Sequence, residues 1–231
     1  MPELPEVESV RRALDSRLVG RRVEAARLLR RDMLVCPGDP PGGFSRSGQA
    51  PPNTRVPSRL LLRGQVIAST ERHGKQLALV GASGGVLLVH LGMSGQLLLT
   101  DKPVSAHDHV HAHWKLDQGE RLLFRDPRRF GGLWSFPSLA ALHAARWDAL
   151  GPDALTLRGA DLARALAGTR RPIKAALLDQ RAVAGVGNIY ADEALFASGI
   201  DPARPANSLS PDQARDLARE IRRVLRQAIH A

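Results

Sequence analysis

The chain opens Met1-Pro2-Glu3. Initiator methionine is normally removed before a residue as small as proline, which leaves Pro2 as a free secondary amine. About a tenth of an ordinary α-amino group is neutral at pH 7, against well under a thousandth of a lysine side chain. A secondary amine that condenses with an aldehyde gives an iminium that stays cationic, an electron sink for eliminations. Glu3, one residue on, carries the carboxylate that a general acid or base needs. The same residues also suit a helix start, because Pro2, Pro5, Glu3 and Glu6 fit a first turn and its dipole. Residue types alone do not choose between the two readings; the longer string does.

Met-Pro-Glu-Leu-Pro-Glu-Val-Glu at 1–8 is followed, in order, by three further blocks. They are His90-Leu91-Gly92-Met93-Ser94-Gly95, then Asp126-Pro127-Arg128-Arg129-Phe130-Gly131, then Gly185-Val186-Gly187-Asn188-Ile189-Tyr190-Ala191-Asp192-Glu193. Together they resemble the formamidopyrimidine-DNA glycosylase family over essentially the whole chain, apart from residues 37–58. Leu4 is closer to this branch than to the endonuclease VIII branch, which usually has glycine there.

The resemblance implies a base-excision repair enzyme that removes oxidised purines, 8-oxoguanine and formamidopyrimidines, from duplex DNA. It also implies a nick at the abasic site by β(,δ)-elimination. Pro2 would be the nucleophile at the sugar C1′, Glu3 its acid/base partner, and Lys75, in Arg72-His73-Gly74-Lys75, the lysine that contacts phosphate and assists elimination. Only four lysines stand among 33 basic residues, so Lys75 and Lys174 are conspicuous. Met93, Arg128 and Phe130 match a trio that fills the void left by a flipped base, offsetting the few kcal/mol of lost stacking and pairing. Arg129 adjoins them.

The stretch from Gly185 to Asn188 resembles the helix–two-turn–helix element, in which small residues let backbone approach phosphates at a helix N-terminus. Asn188 would cap that helix and touch DNA, with Tyr190 beside it. Lys174, with Arg170 and Arg171 next to it, extends the basic face. His107, His109, His111 and His113 alternate, so on a strand all four would share one face, an arrangement that suits a metal. The family's pattern instead uses the first histidine, His107, against DNA. His111 and His113 have no counterpart in it.

Alternatives are excision of oxidised pyrimidines, as in the endonuclease VIII branch, and a non-catalytic nucleic-acid-binding protein. Pro2-Glu3 at the terminus argues against the second. The family adds, after the last helix, a loop over the flipped base and a four-cysteine zinc hairpin. Nothing like them follows before Ala231, and Cys36 is the only cysteine. No cofactor is expected from this chain, and zinc only from a longer one. The expectation that follows is slow excision, easier action on preformed abasic sites, β-elimination products and insensitivity to chelators.

These residues need elements to hold them. Val7, Val10, Leu14 and Leu18 recur at helical spacing before Gly20. One strand is expected over 23–35. Residues 37–58 hold six prolines and four glycines and read as a loop. Short apolar runs bounded by turn residues over 60–136 predict antiparallel strands in a sandwich or barrel. Helices are expected near 138–149, 160–167, 172–180 and 188–198. The last begins at the capping box Ser210-Pro211-Asp212-Gln213 and runs to the end. The fold is therefore α+β. An N-terminal β-sandwich flanked by helices occupies 1–136, a linker 137–158, and a helix–two-turn–helix domain 159–231.

The 231 residues carry a net charge of +10, which favours a polyanionic partner. With 43% apolar residues there is enough to bury a core. A lone cysteine rules out a disulfide framework, and no apolar run reaches the roughly 18 residues of a membrane helix. These features predict a soluble, cytosolic protein with no membrane association; the family resemblance adds damaged double-stranded DNA as partner, a monomeric state and a bacterial cytosol.

Overall fold

The computed structural model describes residues 2–39, 56–102 and 109–231. They form two compact units. One comprises Pro2, Val10–Arg72 and Gln76–His143; the other comprises Glu3–Ser9, His73–Lys75 and Ala144–Ala231. Helix α1 (Leu4–Leu18) contributes its first turns to the second unit and the rest to the first. Its buried residues Leu4, Val7, Leu14 and Leu18 lie on the face that the sequence spacing marks as apolar.

The first unit holds two sheets. Strands β1 (Val23–Leu28), β6 (Gln96–Thr100), β7 (Val110–Leu116) and β8 (Arg121–Arg125) form one, in the order β1-β7-β8-β6. The other contains β2 (Leu34–Val35), β3 (Ile67–His73), β4 (Gln76–Gly81), β5 (Val86–His90) and β9 (Gly132–Phe136), in the order β2-β9-β5-β4-β3. Pairing is antiparallel along β4-β5-β9 and throughout the first sheet, while β2 runs parallel to β9. Val86, Leu87, Leu88 and Val89 are all fully buried, as a central strand covered on both faces requires. In β6 only Leu97 is buried, between exposed Gln96 and Leu98, the alternation of a half-covered strand. Leu18, Val23, Ile67, Leu79, Trp114 and Leu122 meet in the interior. There the Trp114 indole N–H donates to the Leu61 carbonyl at 2.9 Å and so leaves no orphaned donor.

The strand expected over 23–35 is two strands in different sheets. The β1 ladder ends where Leu29 and Arg30 N–H donate to the His111 carbonyl. A 3₁₀ turn at Arg31–Met33 then carries the chain to β2. Arg30, Arg31 and Asp32 break the alternation, and their charges are satisfied by ion pairs instead of a ladder. Most of the 37–58 stretch lies outside the described residues. The helix expected over 138–149 is a short α2 (Leu139–Leu142), capped by the Ser138 hydroxyl, followed by a π turn over His143–Trp147.

The second unit is built on α3 (Gly159–Ala167), α4 (Ile173–Leu177), α5 (Asn188–Ala197) and α6 (Pro211–His230). The capping box at the start of α6 forms, with both the Ser210 hydroxyl and the Gln213 amide engaged. Leu4, Leu162, Leu177, Val186, Leu217 and Ile221 are among the residues that close its core. No described helix is long and apolar enough to cross a membrane.

Candidate active site

Within the second unit the start of α1 meets the start of α5. Glu3 is 2% exposed, and its carboxylate accepts the Ile189 N–H at 3.0 Å and the Tyr190 N–H at 3.5 Å. A negative charge at a helix N-terminus satisfies free amides and sits favourably in the helix dipole. Glu3 thus caps α5 from 186 residues away. Asn188, expected to cap this helix, does not: Gly187 is the capping position, and Asn188 is exposed in the first helical turn. A side chain at Gly187 would place its Cβ 2.2 Å from Glu3 Cδ, so only glycine leaves room for the carboxylate.

The rest of the loop is drawn in by polar bonds. Leu4 N–H donates to the Gly185 carbonyl at 3.2 Å. Gly185 adopts φ +112, a conformation open to glycine, and its N–H donates to Gln180 Oε1 at 2.9 Å. Gln180 Nε2 donates in turn to the Leu178 and Val186 carbonyls. Glu6 accepts the Glu3 N–H at 2.8 Å on one oxygen and the Tyr190 hydroxyl at 2.8 Å on the other. Burial first, then the Glu6 carboxylate, pushes the Tyr190 phenol above tyrosine's ordinary range. Tyr190 is 8% exposed, so its side chain holds Glu6 in place and offers little surface to a nucleic acid.

Lys75 follows Gly74 in the turn between β3 and β4. The Gly74 N–H donates to Asp153 Oδ2 at 2.9 Å, and His73 Nε2 lies 3.0 Å from the Gly151 carbonyl, which pins the turn. Burial pushes the Lys75 ammonium below lysine's ordinary range, while Glu3 and Glu6 pull it back up. Glu3, Glu6 and Lys75 therefore share one electrostatic environment, and Pro2 precedes Glu3 half-buried. Glu6, Gln180 and Asp153 escaped the sequence reading. Glu6 stood in the quoted string but was read as a helix charge; the other two have no local signal.

A second constellation lies wholly in the first unit. Asp126 is fully buried, and its carboxylate accepts the Ser94 hydroxyl at 2.6 Å and the Gly131 N–H at 2.7 Å. Ser94 Oγ also accepts the Arg128 N–H at 3.1 Å. The loops 91–95 and 126–131 approach so closely that a Cβ on Gly92 would stand 2.3 Å from Gly131 N. On this base Met93 is 40% and Phe130 50% exposed. The Arg128 guanidinium lies 5.0 Å from the Phe130 ring centroid. Arg129, at φ +58, is ion-paired with Asp32. Burial pushes the Asp32 carboxyl up, but Arg30 and Arg129 outweigh it and hold it below the usual carboxylate range.

The histidine alternation does not survive folding. His109 takes φ +54, and the β7–β8 register slips between Val110 and Ala112, so His111 turns inward, 5% exposed. His107 lies outside the described residues. Among the described residues no group of three His, Cys, Asp or Glu could hold a metal ion. Cys36, the only cysteine, cannot build a four-cysteine zinc site by itself. On the helical face Arg170 and Arg171 are exposed, Arg171 pairing with Asp179 and Lys174 with Asp192 at 2.8 Å.

Residues 1–133 match the profile of the Formamidopyrimidine-DNA glycosylase N-terminal domain, and residues 150–231 that of the Formamidopyrimidine-DNA glycosylase H2TH domain. The Formamidopyrimidine-DNA glycosylase of Stutzerimonas stutzeri is 44% identical over 99% of this chain and 78% of its own length. Among solved structures, the MutM (Fpg) protein of Thermus thermophilus aligns with a TM-score of 0.79 at 36% identity, over 99% of this chain and 76% of that one. The Lactococcus lactis Fpg in complex with abasic-site DNA aligns with 0.82 at 28% identity, over 99% of this chain and 79% of that one. Fold and matches together define a DNA glycosylase of base-excision repair. The chain belongs to the formamidopyrimidine-DNA glycosylase family, of which lyase activity is typical, and the non-catalytic alternative is set aside.

Proposed function

We propose that this chain excises oxidised purines, 8-oxoguanine and formamidopyrimidines, from duplex DNA and nicks the resulting strand through a Schiff base on Pro2. The observation that carries this reading is the Glu3 carboxylate, buried at the N-terminus of α5 and one residue from Pro2. The Pro2 amine attacks C1′, the glycosidic bond breaks, and its electron pair leaves with the base, which takes up a proton. Glu3 takes the proton that the alkylated Pro2 nitrogen must lose and delivers it to the ring oxygen as the sugar opens, leaving a cationic iminium. Loss of a C2′ proton then expels the 3′ phosphate, which is the β-elimination expected to dominate the products. Lys75 supports the departing phosphate with its ammonium.

Met93, Arg128 and Phe130 fill the gap left by the flipped base, and Arg128 reads the orphaned partner. Exposure of Met93 and Phe130 on a rigid base supports that role. Arg129, paired to Asp32, steadies the loop. Arg170, Arg171, Lys174 and Asn188 meet phosphates, as does His107. The Lactococcus lactis complex with abasic-site DNA supports duplex DNA as the partner. The protein acts as a monomer in the bacterial cytosol or nucleoid.

Borohydride trapping tests the chemistry. One covalent adduct on a duplex with 8-oxoguanine opposite cytosine, mapped to Pro2, is expected. Trapping at a lysine would overturn the nucleophile. Efficient trapping only on oxidised pyrimidines would move the substrate to the endonuclease VIII class.

A further inference from the structure

His111 has no role in the chemistry above, yet it is buried on β7 against Asp126, where the loop that presents Arg128 and Phe130 begins. Its Nε2 lies 2.8 Å from the Asp126 carbonyl, and its ring meets Phe124 edge-on at 6.4 Å. A carbonyl only accepts, so Nε2 carries the proton. Nδ1 is buried and has no hydrogen-bond partner among the described residues. The backbone carbonyl of His111 accepts the N–H groups of Leu29, at 2.8 Å, and Arg30, at 3.3 Å. Two residues on, Asp32 is ion-paired with Arg129, so the same segment returns to the 126–131 loop. The β-bulge between Val110 and Ala112 is what turns this side chain inward.

We propose that His111 is a positioning residue that locks the 126–131 loop and thereby sets how well Arg128 discriminates the base opposite the lesion. This rests on the reading of Arg128 as the residue that contacts the orphaned base. The argument is one of connection. Asp126 holds Ser94 and Gly131 through its carboxylate, and its backbone carbonyl also accepts the Arg129 N–H at 3.2 Å. His111 is the side chain that binds that carbonyl, so its imidazole N–H joins the Arg129 amide in fixing the peptide from which Arg128 and Phe130 follow. A buried polar group retained with one nitrogen unsatisfied is unfavourable unless its other bond matters.

The test compares His111→Leu, which removes the donor, with His111→Gln, whose amide nitrogen reaches about as far as Nε2. His111→Asn, whose amide stops at the reach of Nδ1, is the second loss variant should the leucine protein fail to fold. Two readouts are used: amide hydrogen exchange at Arg129 and Gly131, and single-turnover excision opposite each of the four bases. The loss variants should exchange faster at both amides and lose about tenfold in opposite-base discrimination, within the range of one base-edge contact. Cleavage of preformed abasic sites should change less than about threefold, and His111→Gln should restore both readouts. Unchanged exchange, equal losses on lesion and abasic substrates, or no recovery with glutamine would overturn the proposal. Arg128→Ala is run alongside. If it leaves discrimination intact, the reading of Arg128 has failed, while the exchange data still decide whether His111 locks the loop.

Discussion

The two constellations solve the problem of placement in opposite ways. Around Glu3 the carboxylate proposed as the acid/base group is itself buried, and backbone amides of a distant helix grip it directly. Around Asp126 the buried carboxylate is no part of the proposed chemistry. It grips the Ser94 hydroxyl and the Gly131 amide, beneath loops on which Met93, Arg128 and Phe130 stand exposed. Acid/base chemistry needs a fixed carboxylate out of bulk water, whereas a plug must reach into a duplex and can be preorganised only from beneath.

The largest expected effect breaks the first constellation. Glu3→Gln removes the charge and places an amide against two N–H donors, so excision should fall by about 10²-fold or more. Cleavage of a preformed abasic site needs less proton management at the sugar and should fall less. Equal losses in single-turnover assays of the two substrates would show that Glu3 has been given the wrong step.

Next comes a matched pair of glycine substitutions. Gly187→Ala would drive a methyl into Glu3 and Gly92→Ala one into the Gly131 backbone, each at under 2.5 Å. Each should cost about 1–3 kcal/mol in denaturant melts, as overpacking does. Gly187→Ala should harm excision and abasic cleavage together, while Gly92→Ala should harm excision alone. The same kinetic pattern in both variants would erase the contrast between the two sites.

A smaller effect sharpens the division between reading a base and holding a phosphate. Arg128→Ala should lower opposite-base discrimination by about 1–3 kcal/mol with little change in salt dependence. Arg170→Ala should weaken all duplexes alike and lower the salt slope by about one unit. Lys174→Ala should do less, since its ammonium already pairs with Asp192. Salt titrations of binding to matched and mismatched duplexes would separate the three.

The smallest concerns pH. Asp32 has its carboxyl held below the usual range by Arg30 and Arg129, so its stabilisation is present at neutral pH and lost as acid protonates it. Asp32→Asn should therefore be destabilised near pH 7 and converge with the parent protein at low pH. Parallel melting curves across that window would show that the ion pair contributes nothing.

What the sequence determined by itself was the family. The order and spacing of Pro2-Glu3, Lys75, the Met93 block, the Arg128–Phe130 block and the Gly185 block sit within short strings, and local strings survive without knowledge of the fold. Helix α6 was legible for the same reason, because its capping box and apolar spacing are local. Tertiary structure alone decided who holds these groups. Glu3 in place of Asn188 caps α5, Tyr190 turns inward to Glu6, and Asp32 belongs to Arg129 across 97 residues. A one-residue bulge cancelled the histidine alternation. Each of these depends on which amide or carboxylate is left unsatisfied after distant segments pack, and one-dimensional spacing carries no record of that.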